Sequence, residues 1–294
     1  MPTLVASIPS PSSGTLDLGP LTIHMYGLTL LVAILACIWL TAVRWRQRGG
    51  ETDLVLRVAV WSVAAGVIGA RLYHDITSWS QVPTPKWQGI FEVWEGGLGV
   101  WGGILCGTLV GIWVVHRSGE RIAPFMDAVA PGLLLAQGIG RIGNWWNQEL
   151  FGKPTDLPWG LEIDPAHRPE QYLLNMTFHP TFLYELLWDL AGVALLLYVD
   201  RRFVIRPPAL FSLYVSYYCF GRFFEELLRV DQAHVFGPLR LNAWVSIVVF
   251  ACSTAFFIWW QVLGRGGTPS ERRARGRPPK PRGPKMAVPK GRVR

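Results

Sequence analysis

Hydrophobic residues along this 294-residue chain come in long runs separated by polar connections. Seven runs of roughly 18 to 23 residues are each long enough to cross a bilayer core as a helix. They cover about 21–43, 54–73, 97–115, 122–141, 181–199, 208–228 and 242–263. The run at 122–141 is the weakest, because Pro124, Asp127 and Pro131 interrupt it. A helix lets a spanning segment satisfy its own backbone groups away from water. The pattern therefore predicts an all-α integral membrane protein with seven transmembrane helices, its membrane domain filling residues 1–263.

The connections alternate in length and charge. The first, third and fifth are short and basic, with Arg44, Arg46 and Arg48, then Arg117 and Arg121, then Arg201, Arg202 and Arg206. The others are longer and carry Lys86, then Lys153 and Arg168, then Arg229 and Arg240. Positive charge gathers in cytoplasmic loops, so the N-terminus is expected outside and the C-terminus inside. The opening MPTLVASIPSPSSG has no basic n-region and no small-residue cleavage site follows it, so no cleavable signal is expected. The longest outer connection, 142–180, mixes Pro, Gly, Trp and Asp and is long enough for a small extracytoplasmic cap. Residues 264–294 are basic and almost free of large apolar side chains. They cannot bury enough surface to fold, and a disordered tail against anionic cytoplasmic lipid is expected. Topology accounts for that charge, so nucleic acid is not an expected partner.

Composition sharpens this class. Half the residues are hydrophobic, 15 are tryptophan and 16% are charged, against about 25% charged in a soluble chain. Cys37, Cys106, Cys219 and Cys252 each fall inside an apolar run with no CxxC pair. They read as small hydrophobes rather than disulfide partners or metal ligands. No His/Asp/Glu cluster with ligand spacing sits on one helix, so neither a metal nor another cofactor is predicted. No internal repeat stands out, unlike the pattern of many transporters.

With that topology, polar residues gather at one level. His24 and Tyr26 open span one, Arg71 closes span two, Trp101 opens span three, and Arg141 and Asn144 close span four. His179, Tyr184 and Glu185 open span five, and Tyr218, Arg222, Glu225 and Glu226 lie in the outer half of span six. A charge costs about 2.5–3.5 kcal/mol at a helix centre and less towards the interface. Its repetition on one side points to one shared polar cavity opening outward. Plainer roles exist for several of these residues. Arg222 and Glu226 can pair within one helix, and Glu185 and Asp189 can simply hold helices together. Gly102, Gly103, Gly140 and Gly143 can serve close helix approach, and Trp94, Trp145 and Trp146 an interfacial belt. Two arginines on different helices, Arg141 and Arg222, instead suit a clamp for a phosphate. Phospholipid is the abundant phosphate at that depth.

The stretch GRIGNWWNQELFG at 140–152 is long and specific. Other motifs occur in order along the chain: HMYG at 24–27, GARLY at 69–73, WEGGLGVWGG at 94–103, HPTFLYE at 179–185 and GRFFEELLR at 221–229. On these motifs the chain resembles the bacterial phosphatidylglycerol–prolipoprotein diacylglyceryl transferases, from residue 20 to about 230. The resemblance implies an enzyme of the bacterial inner (cytoplasmic) membrane. Such an enzyme moves the diacylglyceryl group of phosphatidylglycerol to the lipobox cysteine of a prolipoprotein signal peptide, forming a thioether and releasing glycerol phosphate. It implies catalytic roles for Arg141, Arg222, Tyr26 and Glu149, and lipid contacts for Arg141, Asn144, Arg222, Tyr218, Glu226 and Gly152; His24 is a further catalytic candidate. The family often carries histidine before the paired glycines of span three, where Trp101 stands here. If that histidine serves as base toward the thiol, His24, Glu149 or a phosphate oxygen of the lipid must replace it, and the three stay open.

Two other classes remain in view. A transporter or channel would carry polar residues through to the inner face, where Asp127 and Arg57 are the only charged span residues. A receptor that binds lipoproteins without chemistry is separated from an enzyme by assay alone.

Overall fold

The computed structural model describes residues 7–19, 21–92, 96–231, 233 and 235–263. Trp94 and the basic tail at 264–294 lie outside the described residues. The chain begins with strands β1 (Thr15–Leu18) and β2 (Leu21–His24). Helices α1 (Met25–Gln47), α2 (Thr52–Thr77), the single turn α3 (Lys86–Gly89), α4 (Val100–Arg117) and α5 (Ile122–Trp146) come next. Strands β3 (Leu161–Glu162) and β4 (Thr177–Phe178) precede helices α6 (Thr181–Arg202) and α7 (Ala209–Leu228). Strands β5 (Val235–Phe236) and β6 (Leu239–Arg240) lead into α8 (Leu241–Phe257), which continues as a π-helix over Ile258–Leu263.

Each of the seven apolar runs lies mostly in a long helix, and six of these helices are long and apolar enough to cross a membrane. The exception is α7, which carries Arg222, Glu225 and Glu226. This corrects the expectation that 122–141 is the weakest run. In lipid, three charges weigh more than the prolines and single aspartate of α5. The all-α expectation holds for the architecture, and the connections add three short two-stranded antiparallel ribbons, β1–β2, β3–β4 and β5–β6. The first ribbon shortens span one at its start. Residues 21–24 pair with 15–18, His24 lies opposite Thr15, and the helix begins only at Met25. It then runs on to include Arg44 and Arg46 in its last turn, where cations complement the helix dipole.

The chain divides into two compact units, one of them residues 42–122. In that unit α2 and α4 pack through glycines. A Cβ on Gly102 would strike the Gly69 carbonyl, so the two backbones meet where only glycine fits. Arg71 is buried and spends its guanidinium on the loop before α4. It donates to the carbonyls of Gly96 at 2.7 Å and Ile90 at 3.1 Å, and to Gly89, and it pairs with Asp75 at 3.3 Å. Arg57 pairs with Asp53 at 2.9 Å on an exposed face.

The other unit comprises residues up to Thr41 and those from Ala123 onward. The short connection 203–208 makes α6 and α7 antiparallel. The buried residues of α6 are Thr181, Glu185, Asp189, Gly192 and Leu196, spaced three or four apart so that they form one stripe. The stripe is polar at its start and apolar further on, where Leu196 joins Ala130, Leu134, Leu210 and Tyr214 in a core. Trp188 stacks on Tyr217 at 4.5 Å and 15°, and each side chain donates a hydrogen bond to the other's backbone carbonyl. Asp127, 2% exposed, accepts the Phe211 N–H at 2.9 Å and so caps the start of α7. Half of the α5 span is buried against 11–22% for the other five, which marks α5 as the most enclosed of them.

Residues 142–180 carry a small core of Phe151, Leu161, Ile163 and Phe178 under the β3–β4 ribbon. The N-terminal segment adds to it. Ile8 packs on this core and makes backbone hydrogen bonds with Gly160 and Glu162, at 2.8 and 2.9 Å.

Gly221 is the point where α7 yields to the Trp188 ring, since a Cβ there would overlap the indole. Gly221→Val is expected to cost about 1–3 kcal/mol through overpacking. Thermal unfolding in detergent would show a midpoint several degrees lower, and an unchanged midpoint would mean that α6 and α7 do not meet there.

Candidate active site

The GRIGNWWNQELFG stretch ends α5 and turns the chain back on itself. Arg141, on the last turns of the helix, directs Nη1 to the Asn144 amide oxygen at 3.4 Å. Asn144, 6% exposed, gives its amide N–H to Glu149 Oε1 at 2.9 Å, and Asn147 donates to the same oxygen at 3.3 Å. The turn requires unusual backbone. Gln148 and Leu150 adopt φ of 50° and 58°, a region non-glycine residues rarely occupy. Gln148 holds it there, donating to the Pro11 carbonyl at 3.0 Å and to Asp164 at 2.6 Å, and accepting the Asp164 N–H at 2.7 Å. Thr181 adds a hydroxyl donated to the Leu150 carbonyl at 2.5 Å.

The two arginines predicted to act together do converge, and a carboxylate stands between them. Arg141 Nη2 meets Glu185 Oε1 at 2.5 Å, and Arg222 Nη1 lies 3.6 Å from Glu185 Oε2. Arg222 also binds Glu225 at 2.8 Å and Glu226 at 2.7 Å. The intrahelical pair expected from spacing is therefore present, as one part of a larger network. Glu226 is buried and takes a second arginine, Arg240, at 2.9 Å. Arg240 continues to Asp231 at 2.9 Å, which Arg229 holds at 2.7 Å. One line of polar contacts thus runs from Glu149 through Asn144, Arg141, Glu185, Arg222 and Glu226 to Arg240. Burial alone would raise the Asp231 carboxyl, but the hydrogen bonds and charges of Arg229 and Arg240 outweigh it and hold it below its usual range.

Sequence reasoning singled out Arg141, Asn144, Glu149, Arg222 and Glu226, and the structure joins all five in this network. It treated Glu185 as a helix tie and did not weigh Gln148 or Arg240. Tyr26 lies beside the signature because Gly143 has no side chain; a Cβ there would come within 2.6 Å of the Tyr26 ring. Tyr218 sits one turn before Arg222 on α7 and lines the same cavity. Gly152 marks a backbone crossing. It pairs with Arg229, donates its N–H to the His179 carbonyl at 2.9 Å, and a Cβ there would lie 2.7 Å from the His179 Cβ. His24 is exposed at the end of β2. Trp101 lies in the first turn of α4 and is 54% exposed. His179 faces the Tyr184 hydroxyl at 3.1 Å, and burial together with the nearby Lys153 lowers its pKa, favouring the neutral ring.

A cavity of about 290 Å³ opens on the network. Glu185, Arg222 and Glu225 line its polar side, and Trp188, Phe224 and Leu228 its apolar side.

The helices define a multi-pass membrane protein. The sequence profile of the prolipoprotein diacylglyceryl transferases matches residues 14–259, and the chain belongs to that family. It is 50% identical over 260 residues to the phosphatidylglycerol–prolipoprotein diacylglyceryl transferase of Cutibacterium acnes, covering 87% of this chain and 88% of that protein. It is 47% identical over 257 residues to enzyme 2 of that name from Streptomyces coelicolor, covering 86% and 81%. The Bifidobacterium adolescentis enzyme is 42% identical over 276 residues, covering 89% and 82%.

Removing the shared carboxylate should expose the cost of the network. Glu226→Ala leaves Arg222 and Arg240 facing each other without it, and a loss of about 3–5 kcal/mol is expected for breaking a buried pair; chemical or thermal denaturation in detergent would measure it, and a loss below about 1 kcal/mol would contradict the pairing. Asp231 predicts a pH signature. Its carboxyl is depressed in the fold, so its stabilisation is present above the ordinary value of about 3.9 and disappears as pH falls through the depressed one. Asp231→Asn should therefore lower the unfolding midpoint at neutral pH, and the difference from the parent protein should close only below about pH 4.

Proposed function

We infer that the protein transfers the diacylglyceryl group of phosphatidylglycerol to the lipobox cysteine of a prolipoprotein signal peptide, forming a thioether and releasing glycerol phosphate. Family membership supports the reaction. The observation that carries the site is the meeting of Arg141 and Arg222 on Glu185, beside an apolar wall. An anionic headgroup on an apolar tail has that same division of chemistry. The cavity suits a headgroup, and the acyl chains lie outside it along the exposed Phe224 side of α7.

The phosphate competes with Glu185 for the two guanidiniums. Each η nitrogen carries two hydrogens, so Arg141 and Arg222 can add an anion without giving up all their carboxylate contacts. Asn144 keeps Arg141 in place, Glu226 keeps Arg222 in place, and Tyr218 and Tyr26 stand near the phosphate and glycerol oxygens. Gly152 acts by letting the three strands of chain at the site close up.

A free thiol titrates near about 8.5, so proton removal helps. The sulfur attacks the glyceryl carbon that bears the phosphate ester. A C–S bond forms, the C–O bond breaks, and its electron pair leaves with glycerol phosphate. The thiol proton goes to Glu149, which is exposed to an incoming peptide and is held against Arg141 through Asn144. Negative charge grows on the departing phosphate, where guanidiniums already fixed in place stabilise it without rearrangement.

The membrane arrangement that fits is seven spans with the N-terminus outside. The charges of α7 are paired within the protein, which lowers the cost of a seventh span. Residues 142–180 then cap the outer face of a bacterial cytoplasmic membrane, where exported prolipoproteins emerge. The basic tail at 264–294 lies inside, against anionic lipid.

The test is a transfer assay with purified protein, phosphatidylglycerol and a lipobox peptide containing one cysteine. The peptide should gain the mass of one diacylglyceryl group, and a Cys→Ser peptide should gain nothing. Arg141→Ala and Arg222→Ala should each cut turnover about 10²-fold or more while the protein still inserts. Near-normal turnover in both variants would rule out the arginine pair; no gain at all, with lipid and peptide both bound, would assign a binding role instead.

A further inference from the structure

Asp189 is the buried group that the transfer chemistry leaves unused. It lies on α6 one turn beyond Glu185, with no exposed surface. Neither carboxylate oxygen has a hydrogen-bond partner among the described residues. The Arg141 guanidinium is near enough for its charge to act on Asp189, but it makes no hydrogen bond to it, and its polar contacts go to Glu185 and Asn144. Tyr217 gives its hydroxyl to the Trp188 carbonyl at 2.8 Å, and Tyr214 gives its own to Gln137 at 3.1 Å. The Trp188 indole donates to the Tyr217 carbonyl at 3.3 Å. On the α5 side stands Gly138, which offers no side chain; a Cβ there would lie 3.0 Å from the Asp189 Cβ.

A buried acceptor without a donor is rare in natural proteins and calls for a physical reason. Here the reason lies in the cavity. Asp189 lines it together with Glu185 and Arg222. Four residues, about 6 Å along the helix axis, separate Asp189 from Glu185. With the phosphate at the arginines, a group one glycerol unit further along comes level with the Asp189 carboxylate. The glycerol headgroup of phosphatidylglycerol carries hydroxyl donors at that distance, and a methyl or ethyl ester does not.

We propose that Asp189 accepts a hydrogen bond from a hydroxyl of the glycerol headgroup and so selects hydroxyl-bearing lipids, a role that rests on phosphatidylglycerol occupying this cavity. A site built to hydrogen-bond a substrate hydroxyl discriminates strongly against the analogue that lacks it. The arginines recognise the phosphate common to all these lipids, and Asp189 reads the alcohol esterified to it.

The experiment compares phosphatidylglycerol with phosphatidylethanol, which keeps the phosphodiester charge and loses the headgroup hydroxyls, using the full-length protein and the lipobox peptide. The parent protein should show kcat/KM at least about tenfold higher for phosphatidylglycerol. Asp189→Ala should lose most of that advantage, its kcat/KM falling much further on phosphatidylglycerol than on phosphatidylethanol. Asp189→Asn keeps an acceptor oxygen and should retain part of the preference, which covers the case that the alanine variant does not fold. An equal fall on both lipids, or a preference unchanged in both variants, would overturn the proposal. So would a parent protein that does not distinguish the two lipids. If the parent transfers neither lipid, the reaction reading itself fails, and the role of Asp189 falls with it.

Discussion

Everything at the site depends on Glu185, a carboxylate enclosed between arginines of two different helices. A charge removed from water needs a partner in good geometry, or the structure loses several kcal/mol. Glu185 therefore does more than join α6 to its neighbours. It dictates that the end of α5, the start of α6 and the end of α7 come together at one level, with Arg141 and Arg222 on either side. Glu226 repeats the arrangement one step further, between Arg222 and Arg240 at the start of α8. Four helix ends are thus held by three arginines and the carboxylates they share.

Such a network has a consequence for chemistry. Guanidiniums fixed by carboxylates are already oriented, so a bound phosphate meets donors in place rather than flexible side chains. The same carboxylates compete with the phosphate, which keeps the site from holding its leaving group too tightly. Backbone geometry supports this balance. Gly143 admits the Tyr26 ring, Gly152 lets three segments cross, and Gln148 pins a left-handed turn that points Glu149 back at Asn144.

Much of this was legible in the chain. Apolar runs of bilayer length have few alternatives to helix in lipid, so the long helices could be placed within a few residues. The misplaced start at residue 21 has a simple cause: Leu21 and Ile23 run straight into the apolar helix, and only the pairing of Leu21–His24 with Thr15–Leu18 makes this stretch a strand. Arg141, Asn144 and Arg222 stood out because polar groups at membrane depth are expensive, and Glu149 through the family motif that contains it. Glu185 was placed at the same level, but its partners and those of Asp189 were not legible, since spacing of four describes a pair on one helix and says nothing about which other helix they face. The role of Gln148 depends on a positive φ and on contacts with residues 11 and 164, neither of which has a local signature. The weakness of α7 was hidden for the opposite reason: its aromatic residues mask three charges that make sense only once they are paired.

The most direct measurement is an experimental structure of the protein with phosphatidylglycerol bound. The phosphate is expected within hydrogen-bonding distance of both Arg141 and Arg222, with Glu185 displaced from at least one of them. A phosphate bound elsewhere, with the Arg141–Glu185–Arg222 contacts intact, would contradict the clamp.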